Sequence, residues 1–568
     1  MASNATPVES VGEAFLVLMK RRGIDHFFVN AGTDSASLVE AYARQPQSGL
    51  EFPNAVVCTH ENLAVGMAHG TTMVTGRPQA VMLHVSVGAA NAVCALMNAA
   101  RDNIPMLFTA GRTPLFEQGR RGARNVPIHW AQEMFDQAGM LREIVKWDYE
   151  LRDGTVNLED IVDRALAVTS APPQGPVYLT LPREVLATEM RELVLARDEL
   201  AVPSEPAPDP RAVERLAALI AAAEFPVIAT ATAGRRTGDV AALGALCEAH
   251  GIGVVETHAR FLGLPASHPM HLGIALKPCF PKADLIIVLE ADVPWMPSVD
   301  GGPRAGTTLV NAGVDPLFAR YPVRGFRGDL AITATTSTLL PALAAALGAR
   351  SAGAEGRRDH IAAASRAVRA AREERIAALR AAPRMTKDWM NLCLSEAKPA
   401  DAIVVNEYWA TRAILDCEAP GSFYHHPPAA GLGWGMPAAL GVQLAQRDRT
   451  VIATLGDGAY MFANPAACHQ AAAAMELPLL TILCNNARWH AVQNAAQTLY
   501  PEGHAARHAT PVPLADLTPT PAFEMYAQAS GGHGEVVGDP AALPDAIARA
   551  LRVVREDRRQ VLLNVLCE

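Results

Sequence analysis

The side chains best placed to do chemistry lie late in the 568-residue chain. Gly456-Asp457-Gly458 follows directly on the apolar run 451–455, and Asn485-Asn486 follows the next run, 479–483, with 26 residues between Gly458 and Asn485. If the two runs are neighbouring strands, their ends bring a carboxylate beside an amide. Carboxylate and amide oxygens are hard ligands, suited to magnesium that holds a phosphorylated ligand. The glycines flanking Asp457 let backbone approach phosphates closely, and Ala459 continues that turn. A tight turn with an unrelated asparagine pair is the alternative, and the coincidence of strand ends with spacing speaks for the metal. Far upstream, His84 closes another apolar run, 80–84, before the loop Val85-Ser-Val-Gly-Ala-Ala-Asn91. An imidazole there can carry protons near neutral pH, or it can serve as a hydrogen-bonded strand end.

Such positions need parallel sheets, whose strands all finish on one side. Apolar runs at 26–29, 80–84, 106–109 and 177–181 alternate with helix-length patterns; so do 226–230 and 285–289, then 402–405, 451–455, 479–483 and 561–565. Continuous apolar runs belong to strands buried on both faces. The pattern predicts an α/β protein of three doubly wound parallel-sheet domains, at 1–195, 205–348 and 380–568. Segment 202–210 carries four prolines in nine positions and reads as a semi-rigid linker. The Ala/Arg/Glu-rich stretch 350–383 predicts a charged, solvated helix joining the second and third units.

Half the residues are hydrophobic and 19% are charged, which rules out a disordered chain. A net charge of -9 and only 5% aromatic residues speak against a nucleic-acid partner. No run approaches the ~18 apolar residues of a membrane span, and no leader pattern opens the chain. Nine cysteines without a Cys-x-x-Cys pair point to neither zinc nor a disulfide framework. The cytoplasm, a reducing compartment, is the expectation. A nicotinamide oxidoreductase would need a Gly-x-Gly-x-x-Gly turn that Val29-Asn-Ala-Gly-Thr-Asp does not offer.

Gly456-Asp457-Gly458 with Asn485-Asn486 resembles the thiamine diphosphate motif of the acetolactate synthase and benzoylformate decarboxylase superfamily. The resemblance implies that Asp457, Asn486 and the main-chain oxygen of Arg488 hold magnesium against the cofactor's diphosphate. It also requires a glutamate in the first domain. The segment from Val56 through His60-Glu61-Asn62 to Gly70 is similar to the family's His-Glu-x-x-Ala-x-x-Met-Ala-x-Gly, with one glycine a place early. Glu61 would share a proton with N1′ of the aminopyrimidine and so activate C2 of the thiazolium, work that asks for a carboxyl in a dry pocket. Otherwise a glutamate opening a helix offsets the helix dipole. Gly431-Leu432-Gly433 resembles the segment whose bulky residue, here Leu432, enforces the bent shape of the cofactor. Asn406-Glu407 resembles the start of the diphosphate-contacting loop, although Tyr408-Trp409 stands where Ser or Thr is usual.

The reaction is less legible. His84 resembles a pocket histidine of benzoylformate decarboxylase, and Thr33 matches its pocket serine, but the second catalytic histidine of that enzyme has no match in 289–297. The acetolactate synthase branch is resembled at Gln132-Glu133, at 261–273 and at Gly431-Leu432. Its Ser-Gly-Pro-Gly loop is replaced here by Val85-Ser86-Val87-Gly88, and the pieces associated with its flavin are missing, so FAD is not expected. His490 stands where relatives carry glycine and, with Ala491, is a candidate for the substrate pocket or for plain surface. The resemblance implies a thiamine diphosphate and magnesium enzyme acting on carbon–carbon bonds next to a carbonyl: a 2-oxo acid decarboxylase or carboligase. An acetolactate synthase-type acyltransferase is the alternative, and a catalytically silent cofactor-binding homologue is the reading from another class. The implied partners are a small 2-oxo acid or aldehyde and further copies of the chain. They form a homodimer or homotetramer in which Glu61 of one subunit meets the metal site of another.

Overall fold

A computed structural model describes residues 5–348, 353–508 and 511–568; residue 350, where the charged linker is expected to begin, lies outside them. Three sheets carry the chain. Edge to edge, the first runs Asn54–Val57, His26–Val29, Gln79–Leu83, Met106–Arg112, Val177–Pro182 and Asp148–Glu150. The second runs Gly253–Glu256, Pro226–Thr230, Leu285–Leu289, Thr308–Gly313 and Leu330–Thr333. The third runs Phe423–His425, Ile403–Glu407, Val451–Gly456, Leu480–Asn485, Val561–Leu566 and His533–Val537. Every neighbouring pair within them is parallel. A short antiparallel pair, Ala5–Pro7 with Glu192–Val194, ties the first segment to the end of the first domain.

Counted by appearance, the first and third sheets share one winding, 2-1-3-4-6-5, and the second follows 2-1-3-4-5. In each, the winding reverses between the first and third strands, and a crevice opens there at the carboxyl ends. Thr33 and His84 follow the first and third strands of the first sheet. Asn406 and Asp457 occupy the corresponding ends of the third sheet.

All ten apolar runs are strands, three of them with the same ends and the rest with ends shifted by at most three residues. The shift matters once: the strand stops at Leu83, so His84 stands at the entry of the helix Val85–Asn91. The edge strands Asn54–Val57 and Asp148–Glu150 are partly exposed, which removes the continuous apolar signal that marks the others. The linker helix is Ala354–Ala381, 28 residues with only Ala354, Arg357, Ile361 and Ser365 buried. The proline-rich segment is tied down: Pro206 O accepts from Thr335 N at 3.3 Å and from Thr338 Oγ1 at 2.8 Å.

The helix Glu61–Thr75 lies across Gly435–Ala445 from the third sheet, joining the first and last domains. A Cβ at Gly70 would stand 1.9 Å from Ala438 O, and one at Gly441 would stand 2.0 Å from Met67 O. The backbones touch, and only glycine permits it.

One expectation is corrected. Cys484 and Cys567 form a disulfide with a Cα–Cα separation of 6.0 Å. They are 83 residues apart and meet because Leu480–Asn485 and Val561–Leu566 are adjacent strands, a pairing no local spacing announces. The other seven cysteines are free.

Candidate active site

Asp457 opens the short helix Asp457–Phe462 directly after the buried strand Val451–Gly456. The carboxylate is buried; Oδ1 accepts from Gly458 N at 2.9 Å and Oδ2 has no partner. Burial pushes this carboxyl above its ordinary range, against the pull of the amides of Gly458, Ala487, Arg488 and Asn486. Strand register sets Gly456 opposite Cys484, which puts Asn485 level with Asp457, and the main-chain amide of Asn486 reaches the Asp457 carboxylate. Asn486 Oδ1 accepts from Arg488 N at 3.2 Å across Ala487, whose φ of 53° turns the chain sharply. A buried carboxylate oxygen without a hydrogen-bond partner, at a strand end that adjoins the Asn486 turn, is what a hard divalent cation satisfies. A Cβ at Gly456 would meet nothing within 4 Å, so the backbone face beside Asp457 is open to a phosphate. The residues present fit a magnesium diphosphate. Among the described residues no group of three His, Cys, Asp or Glu is gathered for a metal. Trp489 packs so close that a Cβ at Gly458 would stand 2.1 Å from its ring, and it lies edge-on to Phe462, holding the two loops together. His490 opens the helix His490–Leu499 with Nδ1 buried and unpartnered. Burial, then Lys387 and Arg488, lower its basicity, so the ring is neutral, while Ala491 is exposed.

The Leu432 loop is held from three sides. Asn98 exchanges two hydrogen bonds with Gly431, at 2.9 and 3.0 Å. Asn62 Nδ2 donates to Gly433 O at 3.1 Å. Glu407 accepts from Gly433 N at 2.8 Å and Gly435 N at 2.6 Å. Burial raises the Glu407 carboxyl to about 7. Asn406 is 0% exposed, and its amide is spent on Ala410, Thr454 and His425. It holds the turn that carries Glu407 and presents no free face to a ligand.

Glu61 stands at the first turn of its helix, 17% exposed. Oε2 accepts from Asn91 Nδ2 at 2.7 Å, and Gly88 leaves room beside Oε1. His84 Nδ1 lies 2.6 Å from Asp34 Oδ1, with Asp34 2% exposed. Thr33, next door, is exposed. The structure thus gathers Glu61, His84 and Thr33 at one sheet's carboxyl ends, and Asp457, Gly458, Asn486, Arg488 and His490 at another's. Sequence reasoning passed over Asp34, whose only signal is an acid in the Gly-Thr-Asp turn. It also missed Asn98 and the clasp made by Glu407.

The family models for the N-terminal and C-terminal thiamine pyrophosphate binding domains match residues 9–140 and 403–565, together more than half of the chain. The chain is 26% identical to a benzoylformate decarboxylase of Pseudomonas aeruginosa over 86% of itself and 88% of that protein. It is 23% identical to an acetolactate synthase large subunit of Mycobacterium tuberculosis over 97% and 95%. Its fold superposes with a TM-score of 0.76 on the 4-hydroxybenzoylformate decarboxylase of Rhodococcus jostii RHA1, at 22% identity, covering 98% of this chain and 99% of that one. With both cofactor-binding domains matched and three parallel sheets in place, the chain belongs to the thiamine pyrophosphate enzyme family.

Proposed function

We propose that the protein uses thiamine diphosphate and magnesium to cleave, or in reverse to form, the carbon–carbon bond beside the carbonyl of a 2-oxo acid, as a decarboxylase or carboligase. The observation that carries this reading is the unpartnered, buried Asp457 Oδ2 beside Asn486 and the open face of Gly456. Asp457, Asn486 and the Arg488 carbonyl would hold the metal, with Gly456, Gly458 and Ala459 against the diphosphate. The bound cofactor supplies an acidic carbon able to attack a carbonyl and stabilise the electron pair released from it.

The rest is done by side chains of the chain. Asn91 occupies Glu61 Oε2 and leaves Oε1 to share a proton with N1′. Leu432 props the cofactor, and the Asn98, Asn62 and Glu407 bonds keep that prop in place. His84 gives and takes the proton that the reacting carbon or hydroxyl exchanges. Thr33, His490 and Ala491 line the approach to it. Val57, Tyr408, Met461 and Phe462 leave apolar surface exposed around both half-sites. That surface suits a second copy, whose Glu61 would complete the metal-bearing half. No helix among the described residues is long and apolar enough to cross a membrane. Seven free thiols favour the cytoplasm, and the single Cys484–Cys567 bridge speaks against it.

The test is a panel of 2-oxo acids, aryl and alkyl, offered to the protein with both cofactors and scored for carbon dioxide, aldehyde and acetolactate. Carbon dioxide with aldehyde supports the proposal. Acetolactate as main product moves the protein to the acyltransferase reading. A protein that binds cofactor and turns over nothing is the silent homologue.

A further inference from the structure

The ground around His84 is shaped in a way that proton transfer alone does not explain. Asp34, almost fully buried, places one carboxylate oxygen 2.6 Å from His84 Nδ1 and takes Val85 N on the other at 3.2 Å. Two glycines make room for this pair. A Cβ at Gly32 would stand 2.0 Å from His84 Nδ1, and a Cβ at Gly111 would stand 1.7 Å from Asp34 Oδ2. Val85 has φ of 35°, a left-handed conformation that strains a β-branched residue. The same carboxylate that receives the ring therefore holds the strained peptide that aims it.

We propose that Asp34 is a positioning residue for His84: its carboxylate accepts the Nδ1 proton, fixes the ring against Gly32, and leaves Nε2 as the nitrogen that exchanges a proton with the reactant. This rests on the proposed use of His84 as the proton carrier. A neutral imidazole has one N–H, so committing it at Nδ1 makes Nε2 the acceptor, and protonation at Nε2 gives an imidazolium paired to Asp34. The groups facing the ring are Asp34, Glu61 and His129. The hydrogen bond that Asp34 accepts, followed by its charge and that of Glu61, holds His84 above its ordinary 6.5 despite burial. The His129 ring is buried and held below its ordinary value, chiefly by desolvation, so it opposes His84 only weakly.

The experiment uses the full-length, cofactor-free protein labelled with ¹⁵N-histidine, with the His84 signals assigned by their loss in His84→Asn. The parent is expected to carry its neutral-state proton on Nδ1 and to titrate above 6.5. In Asp34→Asn the side-chain amide donates to Nδ1, so the proton moves to Nε2 and the midpoint falls. In turnover, Asp34→Asn should lower kcat about 10- to 1000-fold at little change in KM, and Asp34→Glu should recover part of it. A parent ring protonated on Nε2 overturns the proposal even if the variant does not fold. So does an Asp34→Asn protein whose His84 tautomer and midpoint match the parent, which would make Asp34 only a staple for Val85. If the ring signals behave as stated and no 2-oxo acid is turned over, the placement of the ring stands and the failure falls on the proposed reaction.

Discussion

At the scale of residues, the site separates groups that spacing reveals from groups that only folding brings together. Asp457 and Asn486 are readable because each follows a strand with no residue to spare. Glu407 and Asp34 were invisible in their roles because their partners stand 26 and 50 residues away, across a sheet. Glu407 leads to a prediction. Its carboxyl is raised from 4.5 to about 7, so the folded chain prefers it protonated. Stability from this group is full below 4.5 and declines as pH rises to about 7, by about 3 kcal/mol at most. Glu407→Gln keeps the volume and removes the titration. Denaturation midpoints of parent and variant measured from pH 4.5 to 7.5 should diverge, the parent losing ground to the variant as pH rises. Parallel curves would mean the carboxylate is ionised and content in its pocket.

Elements were the most legible level. Strands buried on both faces announce themselves as unbroken apolar runs, and each of the ten runs is a strand, although the interior strand Thr308–Gly313, interrupted by Asn311, was passed over. Edge strands such as Phe423–His425 were missed too, because a strand with one paired side needs no such run. The helix pair Glu61–Thr75 and Gly435–Ala445 was half legible, since Gly66 and Gly70 predict close approach but not the partner. Gly70→Ala would drive a methyl to within 1.9 Å of Ala438 O. Overpacking of this kind costs about 1–3 kcal/mol or more, since the obstacle is backbone. The variant should unfold at lower denaturant concentration with unchanged slope and bind cofactor more weakly, because Glu61 and the Leu432 loop ride on these helices. Equal midpoints would show that the helices slide apart freely.

At the scale of the whole molecule, the domains are clamped by buried charge. Glu256 ends a strand of the central sheet and pairs with Arg412 of the last domain, with His271 Nε2 2.9 Å away. Although burial opposes it, Arg412 and then His271 hold the Glu256 carboxyl down at about 2. Its stabilisation is present above 4.5 and drains away as pH falls toward 2. Glu256→Gln strands the Arg412 charge and should cost about 3–5 kcal/mol at neutral pH, read by chemical denaturation. A loss below ~1 kcal/mol, the range of exposed pairs, would mean that water reaches the clamp.

Two half-sites from two copies are proposed to make one thiamine diphosphate centre. The most direct measurement is deuterium exchange at C2 of the bound cofactor, in a mixed dimer co-expressed from Glu61→Gln and Asp457→Ala chains and isolated through two different tags. Each variant alone should exchange far more slowly than the parent. In the mixed dimer one centre carries both lesions and the other carries neither, so exchange should return to about half the parental rate per chain. A mixed dimer as slow as its parents would contradict the shared site, and fast exchange in Glu61→Gln alone would remove Glu61 from the chemistry.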